Sequence, residues 1–495
     1  MPKLESIRSG VAWVTVCSAT SRLINIFASF AVAWYLSADD FATFGVAATV
    51  AAFCEVISHQ SLSTILISRQ RHFEEWAPFA ASLSLAMGVA VVALLLAAAI
   101  LLPNADLFES YKALTPTLIV ISFSPLVSAF GVVPATRLKL QMQFRRLSGA
   151  TGISNLAGSL SKIFLAACGF GPLCFALSLF VQTFIYVALC TYMCKRPQEY
   201  NWDWKKWRHF LRDAAFVLGT AIALKVITFG DYAVLSLLGE RTELGLYFFA
   251  FNLSVMSIVT LTTGLASVLL PAFSRMQSKF ERQEKFLHYA SLIAVVMVPL
   301  CFVQAGVARD VISLAFGNKW INAVTFIEVL SIGMAARTTS WIAASYLDAC
   351  GEFRIRFLLT SMASIVFLIM VISAVNLGGG TGLAISVAAF YPLLSIALSS
   401  YVLKDFPQGL VLAPKLVIVP YLLCFVAFIS ARALVNATAI SEIPRLCLFS
   451  AIFFSIYIAF GFKVMPNEAK TIFNASVRPM HSHLQSKLGH FLNAK

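Results

Sequence analysis

The chain has 495 residues, of which 59% are hydrophobic and only 12% charged, whereas a soluble domain runs at about 45–50% apolar and about 25% charged. That composition excludes a soluble globule, and it leaves little chain for any soluble domain. A net charge of +14 would suit a nucleic-acid partner, but the Lys and Arg residues cluster in short connections between apolar runs, mostly on alternate turns. They therefore orient a multi-pass membrane protein by the positive-inside bias and imply no nucleic acid.

A bilayer core about 30 Å thick needs about 20 apolar residues per helix, and about fourteen such runs fit between Val11 and Phe462. The expected fold is an all-α integral membrane protein. Met1–Gly10 leads into a full-length span without a small-residue cleavage site, so it reads as a retained first helix and not as a targeting peptide. Helix 1, Val11–Leu36, sets Ser18, Arg22, Asn25 and Ser29 at i, i+4, i+7 and i+11, one polar stripe down an otherwise apolar helix. Helix 2, Phe41–Ser68, carries Glu55 with His59 one turn later; helices 3 and 4, Pro78–Leu102 and Ala113–Val133, are apolar. Helix 5, Gly149–Phe170, repeats the stripe with Thr151, Asn155, Ser159 and Lys162, and helix 6 follows at Gly171–Tyr192.

The connection Lys195–Asp213 places Trp202, Trp204 and Trp207 among cations, as expected of a cytoplasmic helix lying in the headgroup layer. Helix 7, Ala214–Leu238, brings Lys225, Thr228 and Tyr232 to one side and carries Asp231. Helices 8 and 9 are Gly245–Leu270 and His288–Ala308; helix 10, Ala323–Ala349, sets Arg337, Ser340 and Trp341 above Asp348. Helices 11 to 14 are Phe357–Val375, Gly382–Val402, Val411–Arg432 and Pro444–Phe462. Lys415 lies near a helix end and is expected to snorkel.

A cation at a helix centre costs about 2.5–3.5 kcal/mol, so Arg22, Lys162, Lys225 and Arg337 default to a functional reading. With only Glu55 and Asp231 as central anions, the cavity they imply is positive and suits a phosphate-bearing anion. Ser18, Asn25 and Asn155 join the cations as candidate lining, while Glu55, Asp231 and His59 are candidate charge partners or coupling groups. The ten cysteines lie in or at the ends of spans without a CxxC pair, and none of the seven histidines has metal-ligand spacing, so neither a metal nor a cofactor is expected. No phosphate-binding G-x-x-x-x-G-K-[ST] segment occurs, which argues against ATP-driven transport.

Helix 1 slides onto helix 7 so that Arg22 pairs with Lys225, Asp40 with Glu243, Ala42 with Gly245 and Phe44 with Tyr247. This ordered match suggests two parallel repeats related by an axis along the membrane normal, an arrangement common in secondary transporters. The expected segmentation is a six-helix lobe over 1–194, a linker over 195–213, a second six-helix lobe over 214–403, two extra helices over 404–463, and a cytoplasmic tail over 464–495.

The run from Gly230, GDYAVLSLLGERTELGLYFFAFNL, followed by LLPAFSRMQ at Leu269–Gln277 and FGNKW at Phe316–Trp320, resembles the Wzx-like lipid-linked oligosaccharide flippases. These belong to the polysaccharide transporters of the multidrug/oligosaccharidyl-lipid/polysaccharide exporter superfamily, and the likeness covers about Gly10–Val402. The resemblance implies two six-helix lobes around a cationic cavity, two further carboxy-terminal helices and alternating access. It also implies an undecaprenyl-diphosphate-linked oligosaccharide as substrate, a bacterial inner-membrane location with both termini cytoplasmic, and a polymerase and chain-length regulator as pathway partners. Arg22 and Lys225 match the family's basic residues in helices 1 and 7, whereas Glu55 and His59 depart from its pattern in helix 2.

Two rivals share part of this evidence. A membrane polysaccharide polymerase or ligase would place acid and base groups in a sizeable outer loop, and the outer loops near Asn104–Lys112 and Arg309–Trp320 hold no such pair. The expectation is thus a transporter and not an enzyme. A multidrug exporter of the same superfamily would line its site with carboxylates and aromatics, against the cationic surplus here.

Overall fold

The computed structural model describes residues 20, 24–25, 27–55, 62–63, 66, 72–104, 111, 113–141, 143–194, 198–276, 278–438 and 441–464. Ser18, Arg22 and His59 lie outside these residues. Every regular element described is helical: α1 (27–35), α2 (Ala38–Cys54), α3 (Phe73–Leu101), α4 (Leu114–Leu140), α5 (Phe144–Ala167), α6 (Leu173–Cys194), α7 (Trp204–Leu238), α8 (Arg241–Arg275), α9 (Lys279–Phe316), α10 (Val324–Met334), α11 (Arg337–Ala349), α12 (Phe353–Val402, two helices that meet at a non-helical kink at Gly378–Gly379), α13 (Gly409–Asn436) and α14 (Glu442–Val464).

Among the described residues nine helices are long and apolar enough to cross a membrane, which shows a multi-pass all-α protein without fixing the expected count. The fully placed α5 is 24 residues long yet is not among the nine, because Arg145, Arg146, Asn155 and Lys162 lower its hydropathy. A polar stripe that must face something other than lipid hides a helix from a hydropathy scan.

The chain divides into two compact units, one of residues 1–265 and 351–387, the other of residues 266–350 and 388–495. In the first unit α2 starts with a capping box. Ser37 Oγ accepts from the Asp40 N–H at 3.3 Å, and Asp40 Oδ2 accepts from the Ser37 N–H at 2.9 Å. The Asp40 carboxylate also reaches the turn between α5 and α6, where a Cβ on Gly171, at φ +55°, would stand 3.3 Å from it. Glu243 does the same for the sharp bend inside α12: it accepts the Gly380 N–H at 2.7 Å beside Gly379, also at φ +55°. The pair aligned by sequence thus seats two carboxylates against two glycines whose backbone an L side chain rarely adopts.

α8 begins so close to α2 that a Cβ on Gly245 would lie 1.9 Å from the Ala38 carbonyl oxygen. Arg241, in the first turn of α8, adds an ion pair to Asp39 at 3.7 Å and stacks over the Tyr111 ring at 4.7 Å. α3 and α4 bury Phe73, Ala77, Leu83, Met87, Val132 and Val133 in one cluster, with Trp207 packed against it. A separate headgroup helix over 195–213 is not what forms. Residues 198–203 are extended, the Asn201 N–H bonding Pro78 O at 3.2 Å, and from Trp204 one continuous helix runs to Leu238.

In the second unit α9, α13 and α14 pack through aromatic side chains. Phe302 meets Phe428 at 6.0 Å, Phe428 meets Phe449 at 5.8 Å, and Gly306 leaves room for the Phe449 ring. The expected helix 10 forms as one span, Ile321–Ala349, with a local interruption between α10 and α11 at Ala335–Ala336, where both residues keep right-handed helical backbone angles. The Tyr421 hydroxyl from mid-α13 stitches the interruption: it accepts from the Ala336 N–H at 2.9 Å and donates to Ile332 O at 2.8 Å. Away from water such freed backbone groups need a partner, and one phenol supplies it.

Candidate functional site

The polar stripes of α1 and α5 meet. Ser159 Oγ donates to Asn25 Oδ1 at 3.0 Å, and Ser29 Oγ donates to the Asn25 carbonyl at 2.8 Å. One turn earlier along α5, Asn155 Oδ1 accepts from Gln182 Nε2 of α6 at 2.7 Å. Gly158 allows this approach, since a Cβ there would stand 2.9 Å from Gln182 Cβ. Asn155, Ser159 and Lys162, four and three residues apart, share one face of α5, and Asn25 meets that face through Ser159.

Beside them lies a cavity of ≈ 170 Å³ whose polar lining includes Asn25, Ser29, Lys162, Ser178, Gln182 and Asn252. Its other wall is aromatic. Phe44 stacks on Phe175 at 4.5 Å, Phe41 meets Phe175 edge-on at 5.3 Å, and Phe248 and Phe249 complete the layer. Lys162 Nζ stands 5.9 Å from the Phe175 ring centroid, a cation over a quadrupole that favours its charge. Asn252, from α8, has its amide held by the Phe248 carbonyl at 2.8 Å. The described lining holds one cation and no carboxylate. In an apolar surround such a charge acts more strongly than in water.

Gln182, Ser178 and Asn252 were not picked out from the sequence. Ser178 and Gln182 lie four residues apart on one face of α6, a two-residue stripe too short to stand out, and Asn252 has Ser254 as its nearest polar neighbour on α8. The available signal was charge-free polarity itself: Gln182 is the one carboxamide within α6.

The other predicted residues lie elsewhere. Lys225 stands over the Phe229 ring at 5.1 Å and within electrostatic range of Glu55, the residue that caps α2. Asp231 is buried and accepts from the Tyr247 hydroxyl at 2.8 Å, tying α7 to α8. Arg337 opens α11 in the second unit, with its guanidinium carbon 5.6 Å from the Trp341 ring and 5.3 Å from the Tyr391 ring. Its Nη1 is buried without a hydrogen-bond partner among the described residues.

A family model described as polysaccharide biosynthesis protein matches residues 31–325. The chain is 23% identical over 362 residues to the succinoglycan biosynthesis transport protein ExoT of Rhizobium meliloti (strain 1021), covering 71% of each. It is 23% identical over 422 residues to the teichuronic acid biosynthesis protein TuaB of Bacillus subtilis (strain 168), covering 82% of this chain and 84% of that protein. Among solved structures, the lipid II flippase MurJ in an inward closed conformation superposes with a TM-score of 0.74 at 14% identity, covering 94% of this chain and 99% of that one. At that identity the likeness is one of fold.

Proposed function

This chain belongs to the family of polysaccharide biosynthesis proteins, and we propose that it is a flippase carrying an undecaprenyl-diphosphate-linked oligosaccharide across the bacterial inner membrane. The observation that carries this reading is the cavity around Lys162, with one buried cation, a ring of carboxamides and hydroxyls, an aromatic wall and no carboxylate among its described lining residues. An anionic lipid-linked sugar is complementary to that wall. A cationic drug is less so, since it would meet a like charge with no carboxylate among the described lining to offset it.

Transport proceeds by alternating access, with two lobes rocking about a bound diphosphate. Arg22 and Lys225, at matching repeat positions in the helix 1 to helix 7 alignment, supply further cations along the substrate's path. Glu55 and His59 serve as charge partners that occupy the cations when the substrate has left, resetting the cycle, while Asp231 is held by the Tyr247 hydroxyl. No covalent step is involved. Energy comes from an ion gradient, the membrane potential or downhill consumption of the product by a polymerase with its chain-length regulator.

The test is binding to the purified protein in lipid nanodiscs, using a fluorescent undecaprenyl-diphosphate sugar and a cationic dye. The wild type is expected to bind the lipid-linked sugar and not the dye, and Lys162→Met is expected to weaken binding tenfold or more. Dye binding that survives Lys162→Met, with no binding of the lipid-linked sugar, would overturn the proposal in favour of a multidrug exporter.

A further inference from the structure

A second cavity, of ≈ 290 Å³, lies in the first unit between α3, α4 and the extended segment 198–203, and its polar lining is Glu74, Arg137, Gln198 and Glu199. It shares no residue with the cavity around Lys162. We propose that it binds one lipid headgroup, the zwitterionic phosphoethanolamine of phosphatidylethanolamine. This site is independent of what the protein transports.

The extended segment is pinned onto α3. Asn201 donates its N–H to the Pro78 carbonyl at 3.2 Å, its own carbonyl accepts from Ser82 Oγ, and Trp207 Nε1 donates to the same hydroxyl at 3.3 Å. Across the cavity, Arg137 of α4 is only 8% exposed. It pairs with Glu74 Oε2 at 2.6 Å and reaches Cys194 Sγ, a weak acceptor, at 3.5 Å. A guanidinium has five N–H donors, so these contacts leave donors over. Arg137 Nε and Gln198 Nε2 are buried without a hydrogen-bond partner among the described residues. Both are donors, and what they lack is an acceptor such as a phosphate oxygen.

The charge of the lining asks for something more. One guanidinium stands among two carboxylates, and Glu74 already engages it, which leaves the exposed Glu199 for a cation. An anionic headgroup would meet the donors but repel Glu199, and a simple amine would do the reverse. Phosphoethanolamine carries both groups two carbons apart, and its ammonium brings three donors of its own. The surroundings suit a lipid. Trp202 and Trp204 are exposed beside the segment, with Trp202 5.3 Å from Trp207, as in the aromatic belt at headgroup depth. The cavity is just below the about 300–1,000 Å³ of pockets for drug-sized ligands, which admits a headgroup and leaves its acyl chains in the bilayer.

Native mass spectrometry of the purified full-length protein in detergent tests this. The probes are dihexanoyl phosphatidylethanolamine, phosphatidylcholine and phosphatidylglycerol, with glycerophosphoethanolamine as the same headgroup without chains. The wild type is expected to bind the ethanolamine lipid at least tenfold more tightly than each of the other three. Choline keeps the positive charge and loses the three N–H donors, whereas glycerol loses the charge. Glu199→Gln is expected to remove the preference over phosphatidylglycerol, and Gln198→Leu to weaken binding of the ethanolamine lipid tenfold or more. Neither change touches the Glu74–Arg137 pair, so both variants should keep the wild-type unfolding temperature in lipid-free detergent. Phosphatidylglycerol bound as tightly as the ethanolamine lipid would reduce the site to general attraction by exposed cations such as Lys205 and Arg208, and would overturn the proposal. Equal affinity for glycerophosphoethanolamine would give the cavity to a soluble ligand and overturn the lipid assignment. Wild-type selectivity in both variants would overturn the site itself.

Discussion

At the scale of single residues, Lys162 and Asp231 show how a charge in a membrane helix finds two different uses. Lys162 faces a cavity with no carboxylate among its described lining, so among the described lining residues only ring faces offset its cost of about 2.5–3.5 kcal/mol. On the proposed reading a bound anion supplies the rest. Lys162→Met should therefore abolish flipping while the protein stays abundant in the membrane, and Lys162→Arg should keep part of the activity because charge matters before fork geometry. Full flipping by Lys162→Met in vesicles would contradict this. Asp231, by contrast, holds the Tyr247 hydroxyl at 2.8 Å in the interior. Asp231→Ala leaves that phenol without its acceptor, a loss of about 1–3 kcal/mol, to be read as reduced thermal stability with the pH dependence of flipping unchanged in what remains. An altered pH profile at normal stability would instead make Asp231 a proton carrier. The sequence revealed Asn25, Asn155 and Lys162 because period and polarity coincide on α1 and α5; Gln182 and Asn252 escaped because one or two polar residues in an apolar run set no period.

Among the elements, the spans were legible from hydropathy and their interruptions were not. The interruption between α10 and α11 falls at Ala335–Ala336 within GMAARTTS, a stretch with no proline and with Gly333 already committed to packing on Ala388. Its cause is a partner from α13, Tyr421, and long-range hydrogen bonding leaves no local trace. Tyr421→Phe keeps the ring against Phe302, 5.8 Å away, but strands the Ala336 N–H and leaves the Ile332 carbonyl only the Ala335 N–H at 3.4 Å. The expected result is loss of about 1–3 kcal/mol, measured as a lower unfolding temperature in detergent; an unchanged temperature would show the interruption to be held by something else. α7 begins at Trp204, earlier than its apolar run, because no proline lies between Trp204 and Leu238 to stop it. Close approach of α2 and α8 depends on Gly245, where a Cβ would meet the Ala38 carbonyl at 1.9 Å. Gly245→Val is expected to force these helix starts apart, raising labelling of a cysteine placed at Thr242 by a membrane-impermeant maleimide from outside. Equal labelling in both backgrounds would count against that approach.

For the whole molecule, the cation pattern predicts that the amino terminus, residues 195–213 and the tail after Phe462 face the cytoplasm. Cysteine labelling at Lys206 in intact cells should give no signal from outside, and labelling there would reverse the topology. Segmentation into two six-helix repeats rested on a faint alignment, and the paired carboxylates Asp40 and Glu243, each seated against a glycine at φ +55°, are the kind of feature a faint alignment preserves. The most direct test of the central claim is flipping in proteoliposomes. Vesicles containing the purified protein are loaded with a fluorescent undecaprenyl-diphosphate sugar or, separately, with a cationic dye, and movement between leaflets or across the membrane is followed. The account predicts rapid flipping of the lipid-linked sugar by the wild type, loss of that activity in Lys162→Met, and no transport of the dye. Dye transport by both proteins, with the lipid-linked sugar left in place, would contradict it.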